Sequence, residues 1–188
     1  ECDYNFNDDC PTPIWDWFLQ TVFNDDQASK DLLHEYMGYC LTNDLSRQKF
    51  MTLIGASRSG KGTITRVMTN QVGKNNVCSP SLSNITQAST LHVMSTKKVA
   101  LIPDAHSVNH NMRDSTLSML KAFTGGDSVT FDVKYKMAQT IEMPCRLWLS
   151  TNGMPEFNDP SGALVNRMLV LVFENSFAGR EDYELDAK

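Results

Sequence analysis

The sequence predicts a three-layer α/β domain that is preceded by a helical segment. Short apolar runs of the kind found in buried parallel strands alternate with segments of helical periodicity. The first of these runs, residues 50–54, leads through a glycine-containing loop into a helical pattern. No internal repeat interrupts the alternation. We therefore expect residues 1–45 to form a helical lead-in or collar and residues 46–188 to form the α/β core.

The composition of this 188-residue chain is that of a soluble globular protein, with 41% hydrophobic and 21% charged residues. The net charge of −5 argues against a uniformly basic nucleic-acid binder. No apolar run approaches the roughly 20 residues that span a bilayer, and the acidic N-terminus does not resemble a signal peptide. We expect a cytoplasmic protein without a membrane partner. Since the chain lacks an initiator Met, we also expect it to be part of a longer protein.

The five cysteines include no Cys-x-x-Cys pair, and their number is odd. This pattern favours free, mostly buried thiols in a reducing compartment. A zinc site built on Cys2 and Cys10 is the less favoured alternative.

The lead-in has the pattern of two amphipathic helices. Pro13 stands at a favoured first helical position, and apolar residues recur at helical spacing over 13–24. Asp25 or Asp26 is a suitable cap for a second helix, whose apolar face we expect to pack against the first. This cluster of apolar and aromatic side chains is expected to be structural.

The remaining elements follow from periodicity and from turn residues. A helix after the glycine-containing loop should end near Gly73, and another should span 113–123. Alternating apolar residues predict a half-buried strand through Val129, Phe131 and Val133. The other strands are expected at 99–102, 137–142, 145–150 and 169–173.

The loop between the first core strand and its helix is typical of a nucleoside triphosphate site. Its backbone N–H groups would converge on phosphate while a lysine reaches the outer phosphates. The predicted nucleotide-binding residues are Gly55, Ala56, Ser57, Arg58, Ser59, Gly60, Lys61, Gly62 and Thr63. We expect ATP and Mg²⁺ as cofactors.

The predicted magnesium ligands are Thr63 and Asp104. Gly62 occupies the place where Ser or Thr usually supplies the metal ligand, so that Thr63, one position later, is the substitute. Asp104 follows the apolar strand 99–102, where a carboxylate is expected to contact the metal directly or through water. Since Ala105 comes next, the catalytic base is Asp104 itself, His106 or a residue distant in sequence.

Two further polar residues complete the predicted catalytic set with Lys61 and Asp104. Asn152 follows the apolar strand expected at 145–150 and would orient the attacking water; the alternative is a simple Asn-Gly turn. Arg167 precedes the last strand and would offer its guanidinium to the γ-phosphate of a neighbouring subunit. The alternative for Arg167 is an ordinary surface position.

Four segments, at 55–63, 120–127, 147–152 and 163–167, together resemble superfamily 3 helicases. The likeness is to the helicase domain of phage and plasmid primases and of poxvirus-type primase-helicases. The Thr-Gly-Gly-Asp element within 120–127 is more specific than the phosphate loop. The resemblance implies an AAA+-like fold, a homo-hexameric ring, ATP-driven movement on single-stranded DNA during replication, and a primase or polymerase domain in the same full-length chain.

In that family the strand pair after Thr-Gly-Gly-Asp projects a hairpin toward DNA. The matching residues here are Lys134, Tyr135 and Lys136, which offer cations to phosphate and an aromatic face to a base. A solvated turn is the alternative interpretation of these residues. An acidic subunit is compatible with DNA binding, because a ring gathers several copies of one short basic hairpin.

Two other functions compete with a helicase. A nucleoside monophosphate kinase shares Gly-Lys-Gly-Thr loops but needs an arginine-rich lid, and only Arg113 lies between Arg66 and Arg146. A non-catalytic nucleic-acid-binding assembly module is favoured by the missing second acid after Asp104. An ATP-dependent DNA helicase remains the leading prediction.

Overall fold

The structure is a computed structural model that describes residues 7, 10–103, 114–134, 137–154, 157, 159–182 and 184–185. Its helices are α1 (Pro13–Phe23), α2 (Gln27–Leu41), α3 (Lys61–Val72), α4 (Ala88–Met94), α5 (Asp114–Gly125) and α6 (Ala163–Arg167). Its strands are β1 (Phe50–Gly55), β2 (Val77–Cys78), β3 (Val99–Ile102), β4 (Ser128–Phe131), β5 (Gln139–Glu142), β6 (Arg146–Thr151) and β7 (Met168–Phe173). Every helix in the described part of the chain is too short or too polar to cross a lipid bilayer.

A five-stranded parallel sheet organises the fold, with strand order β2-β3-β6-β1-β7. The central strand β1 lies between β6 and β7, and it pairs Ile54 with Thr151 on one side and Gly55 with Phe173 on the other. Because these strands are parallel, the carboxyl ends of β1, β6 and β7 lie at the same edge of the sheet. We call this the carboxyl edge and the opposite one the amino edge.

Helices cover both faces of the sheet, as the alternating pattern predicts. On one face, Trp148 of β6 packs in a cluster with residues of α1, α2 and α3. Its neighbours Leu147 and Leu149 point to the other face and pack with α4, α5, α6 and the β4–β5 hairpin. The period-two alternation of β6 thus divides its side chains between two cores. The predicted three-layer α/β fold is confirmed.

The lead-in helices are packed directly on the sheet. Pro13 begins α1 as expected, and Asp26 caps α2, with Oδ1 accepting a hydrogen bond of 3.1 Å from the Ser29 backbone N–H. Apolar residues of both helices share one buried cluster with Met51 and Leu53 of β1. The division of the chain at residue 45 stays a prediction.

The predicted element bounds need some corrections. Strand β4 ends at Phe131 rather than continuing through Val133, because Phe131 with Gln139 is the last pair of its ladder with β5. Val133 still packs against the core, which explains its place in the alternating pattern. Helix α5 runs on to Gly125, and Gly126 ends it with a φ of +77°. The short elements β2, α4 and α6 were not predicted, because each is too short to show a period.

Candidate functional site

The loop between β1 and α3 depends on two glycines, of which Gly55 leaves no room for a side chain and Gly60 has a backbone conformation that other residues rarely adopt. A Cβ on Gly55 would lie 2.6 Å from Cβ and 2.7 Å from the carbonyl oxygen of Phe173 on the neighbouring strand. Gly60 has a φ of +98°, and a Cβ there would lie 3.1 Å from the Val22 side chain and 3.2 Å from that of Phe18. Strand β7 and helix α1 therefore hold the loop from two sides.

Lys61 is the first residue of α3 and its ammonium is turned back into the loop. The residue is 9% exposed, and Nζ donates to the carbonyl oxygens of Gly55 and Ala56, the second at 2.8 Å. The ammonium also lies 3.3 Å from Ser59 Oγ and 3.4 Å from Asn152 Oδ1. Asn152 directly follows β6, the neighbour of β1. The structure thus brings together two predicted catalytic residues that are 91 positions apart.

The backbone around Lys61 is suited to an anion. In the part of the chain that the structure describes, the N–H groups of Ser59, Gly60, Gly62 and Thr63 donate no hydrogen bond. They stand at the N-terminus of the 12-residue helix α3, where the helix dipole favours negative charge. Phosphate oxygens accept hydrogen bonds from groups of this kind: unsatisfied backbone amides, a helix N-terminus and a buried ammonium.

The predicted metal ligands are only partly described. Thr63 is half-buried in the first turn of α3, and its Oγ1 accepts a hydrogen bond of 3.1 Å from Arg66 Nη2. Asp104 lies outside the described residues. His106, which the sequence also offers as a catalytic base, lies outside them as well. Among the described residues no group of three or more His, Cys, Asp or Glu side chains is arranged as a metal site. The zinc alternative also involves Cys2, which lies outside them.

A cleft of about 520 Å³ opens over the loop. One wall is the loop itself with Lys61 and Asn152, and a second wall is the face of α1 that carries Trp17 and Phe18. Residues 174–182, which we call the C-terminal tail, form the third wall, which includes Phe177. This volume falls within the range of ordinary small-molecule sites.

The C-terminal tail is bonded to the backbone of the loop. The Phe177 N–H donates to the Arg58 carbonyl oxygen at 2.8 Å, and Ser176 Oγ donates to that of Ser57 at 3.1 Å. Arg58 has a φ of +61°, a conformation that non-glycine residues rarely adopt. Its guanidinium also lies 3.6 Å from the Glu181 carboxylate. Sequence reasoning missed this wall and that of α1, because backbone contacts of the tail leave no local signal.

Arg167 lies far from the loop of its own chain. It ends α6 immediately before β7, and β7 begins beside Phe50 at the amino edge of the sheet. The six residues of β1 separate that edge from the loop, a distance of about 17 Å at the usual rise of a strand. The structure therefore does not join Arg167 to the Lys61–Asn152 pair within one chain.

The β4–β5 hairpin carries the remaining candidates. Lys134 is exposed in the turn between the strands. Tyr135 and Lys136 lie outside the described residues. The hairpin is anchored by Val129 and Phe131, which are 7% and 5% exposed and belong to the core under α5.

The described cysteines are free, and three of them are unsuited to nucleophilic chemistry. Burial raises the pKa of Cys40 to about 12 and that of Cys78 to about 11, and it also raises the pKa of Cys145. These thiols remain protonated near neutral pH and therefore unreactive.

Residues 53–175 match a protein family described as a family of unknown function, DUF5906. The chain belongs to this family. The match covers more than half of the chain and includes the whole loop at 55–63, Asn152 and Arg167. DUF5906 as a description assigns no activity, so the family places the chain without stating what it does.

Two solved structures are similar to this DUF5906 chain. The apo structure of the NrS-1 C-terminal region (305–718) has a TM-score of 0.73 at 16% identity and covers 94% of this chain and 45% of that one. The JCV helicase has a TM-score of 0.57 at 16% identity and covers 86% of this chain and 46% of that one. The chain spans less than half the length of these solved chains. The likeness shows the fold, which this chain shares with these two solved structures, and it confirms the predicted α/β fold class.

Proposed function

We propose that this chain is the ATP-dependent motor domain of a DNA helicase. The observation that carries the proposal is the position of Lys61. Its ammonium lies in the β1–α3 loop, 3.4 Å from Oδ1 of Asn152 at the end of the neighbouring strand β6. This arrangement places a cation, open backbone amides and the side-chain amide of Asn152 around one point. The superfamily 3 helicase fold supports the same interpretation.

ATP would lie along the cleft. Its phosphates would accept hydrogen bonds from the loop amides and Lys61, while Trp17 and Phe177 offer aromatic faces to the base. Thr63 and Asp104 would hold Mg²⁺, which neutralises charge on the outer phosphates. Asn152 would orient the attacking water. Among the residues that the structure describes, the loop amides and Lys61 suit the phosphates, and the Thr63 hydroxyl suits the metal.

Arg167 would act on the nucleotide of an adjacent subunit in a homo-hexameric ring. Its place at the amino edge, away from its own loop, is what a contribution across a subunit boundary requires. A guanidinium supplied in this way stabilises transition-state charge and accelerates hydrolysis by a factor on the order of 10³–10⁵.

Single-stranded DNA would bind at the hairpin through Lys134, together with Tyr135 and Lys136. Exposed cations near an aromatic ring suit a flexible strand, since they meet its phosphates and its bases in turn. We further propose that the motor belongs to a viral, phage or plasmid replication protein of the cytoplasm. A primase or polymerase domain would lie in the same full-length chain.

The proposal is tested by phosphate release from ATP, with and without single-stranded DNA. We expect DNA-stimulated turnover in the wild type and a fall of at least about 10²-fold in Lys61→Ala, because a principal donor to the phosphates is removed. Lys74→Ala, at an exposed lysine in the short 3-10 helix Lys74–Asn76 before β2, is the matched control and should keep full turnover. Strand separation on a forked duplex should follow the same order.

Two results would contradict the proposal. Formation of ADP from AMP plus ATP would identify a nucleoside monophosphate kinase. Equal inactivity of the wild type and Lys61→Ala, under conditions where ATP binds, would identify a non-catalytic assembly module.

A further inference from the structure

Lys121 connects α5 to both ends of α6. Its backbone carbonyl oxygen accepts a hydrogen bond of 3.1 Å from Arg167 Nη1, at the last residue of α6. Its ammonium lies 2.6 Å from Asp159 Oδ1, just before that helix begins. Residue 121 is therefore held through its backbone by the end of α6 and through its side chain by the segment before it.

Asp159 organises the beginning of α6. Its side chain is fully buried, Oδ2 accepts from the Leu164 N–H at 3.0 Å, and Oδ1 accepts from Ser161 Oγ at 2.6 Å. The pKa of this carboxyl lies well below its usual value because the Lys121 ammonium and the Ser161 hydroxyl donate to it. It thus stays ionised near neutral pH, and its bonds tie the short helix to α5.

Arg167 uses only one nitrogen of its guanidinium in hydrogen bonds to the described residues. Nη1 donates to the Lys121 carbonyl oxygen and lies 3.4 Å from Thr124 Oγ1. Within the described residues, Nε and Nη2 make no hydrogen bond. One nitrogen therefore orients the group on the end of α5, and the other two keep donors for an anion.

The same contact point is attached to the sheet and to the hairpin. Gln48 Nε2 donates to the Gly125 carbonyl oxygen at 2.8 Å, and Lys49 Nζ donates to that of Asn166 at 2.7 Å, just before β1. The Asp127 N–H donates to the Ala122 carbonyl oxygen at 3.0 Å. Strand β4 begins at the next residue. The Thr-Gly-Gly-Asp element is thus the joint where α5, Arg167 and the hairpin meet.

We infer that Lys121 and Asp159 are positioning residues for Arg167, which they hold on α5 so that it meets the nucleotide of the adjacent subunit. The inference rests on the proposed function. The inference assigns a role to Lys121 and Thr124 in the 120–127 segment. Neither residue belongs to the proposed phosphate site. Loss of the pair leaves Arg167 chemically intact but displaced, and displacement of a catalytic group by about 1 Å costs on the order of 10²-fold in rate.

The test is complementation between variant subunits, measured as DNA-stimulated ATP turnover. Lys61→Ala subunits lack a working loop but supply Arg167, and Arg167→Ala subunits have the opposite defect. Asp159→Asn alone should turn over slowly with an unchanged KM for ATP. It should regain turnover when mixed with Lys61→Ala and gain none when mixed with Arg167→Ala. Asp31→Asn, at an exposed position on α2, is the matched control and should behave as the wild type.

Two supporting variants separate positioning from a folding defect. Lys121→Arg keeps the cation and should retain most turnover. The double variant Lys121→Met with Asp159→Asn leaves no buried unpaired charge, which favours folding, and it should show the same complementation pattern as Asp159→Asn.

The outcomes distinguish this inference from the proposed function. Recovery of Arg167→Ala by Lys61→Ala, without recovery of Asp159→Asn or the double variant, would overturn the positioning role alone. Normal turnover of the double variant would do the same. Failure of Arg167→Ala and Lys61→Ala to complement would overturn the cross-subunit arrangement and this inference with it.

Discussion

At the scale of single residues, the loop between β1 and α3 depends on the missing side chain of Gly55. Because β1 and β7 run side by side, the Cα of Gly55 faces the Phe173 backbone at the point where the loop leaves the sheet. The loop can begin its turn only where no Cβ intervenes. The sequence marks Gly55 as a loop glycine, but the neighbour that requires it is 118 positions away and is brought to it only by the fold.

We predict that Gly55→Ala destabilises the protein by about 1–3 kcal/mol, because the new methyl group overlaps backbone and Cβ atoms of Phe173 that cannot move independently. Gly38→Ala is the matched control. Gly38 is exposed within α2 with nothing near its added Cβ, and the substitution should stabilise by up to about 1 kcal/mol. Denaturant unfolding of both variants measures the difference, and equal stabilities would contradict the proposed packing.

At the scale of elements, the long ones were predictable and the short ones were not. Pro13 and the spacing after it located α1, and the apolar runs located β1, β3, β6 and β7. Strand β2 has two residues and α6 has five, so neither shows a period. Yet α6 presents Arg167, and its position depends on hydrogen bonds to α5 that no local pattern encodes.

The β4–β5 hairpin presents the clearest test of DNA binding. We predict that Lys134→Ala weakens binding of single-stranded DNA and leaves ATP binding unchanged, because the lysine is exposed in the turn and away from the cleft lining. The dependence of log K on log salt should become shallower by about 1 for each DNA phosphate that the variant no longer neutralises.

Lys74→Ala serves again as the matched control, since Lys74 is also an exposed lysine between two longer elements. Fluorescence anisotropy of labelled oligonucleotide over a salt series measures both variants. Unchanged DNA affinity in Lys134→Ala would refute the assignment of the hairpin.

At the scale of the whole molecule, the lead-in and the α/β core share one set of buried contacts. Phe18 and Val22 of α1 lie against Gly60 of the loop, and both helices of the lead-in pack in the cluster that contains Trp148. Apolar contacts of this kind connect the first helix to the cleft over the β1–α3 loop. A role as a collar in ring assembly remains a prediction.

We predict that residues 46–188 alone do not fold cooperatively. Removing the lead-in exposes the core partners of eight buried side chains: Phe18, Leu19, Val22, Phe23, Leu33, Tyr36, Met37 and Cys40. At about 1.5–3 kcal/mol for each large apolar side chain, this loss is comparable to or larger than the usual stability of a domain, which is roughly 5–15 kcal/mol.

Thermal unfolding followed by circular dichroism tests this prediction, with a chain that begins at residue 12 as the control that keeps α1 whole. A sharp transition of the shorter chain at a temperature close to that of the control would contradict it.

The sequence by itself determined the fold class, the glycine-containing loop with Lys61 as a predicted phosphate site, and the candidacy of Asn152 and Arg167, because each depends on periodicity or on a motif carried by consecutive residues. Only the tertiary structure decided which of these residues meet. Parallel pairing brings Asn152 to Lys61, while the length of β1 separates Arg167 from both. The walls of the cleft and the Lys121–Asp159 pair likewise join residues distant along the chain. Contacts between distant residues arise from packing of the sheet and its helices, and local sequence carries no record of them.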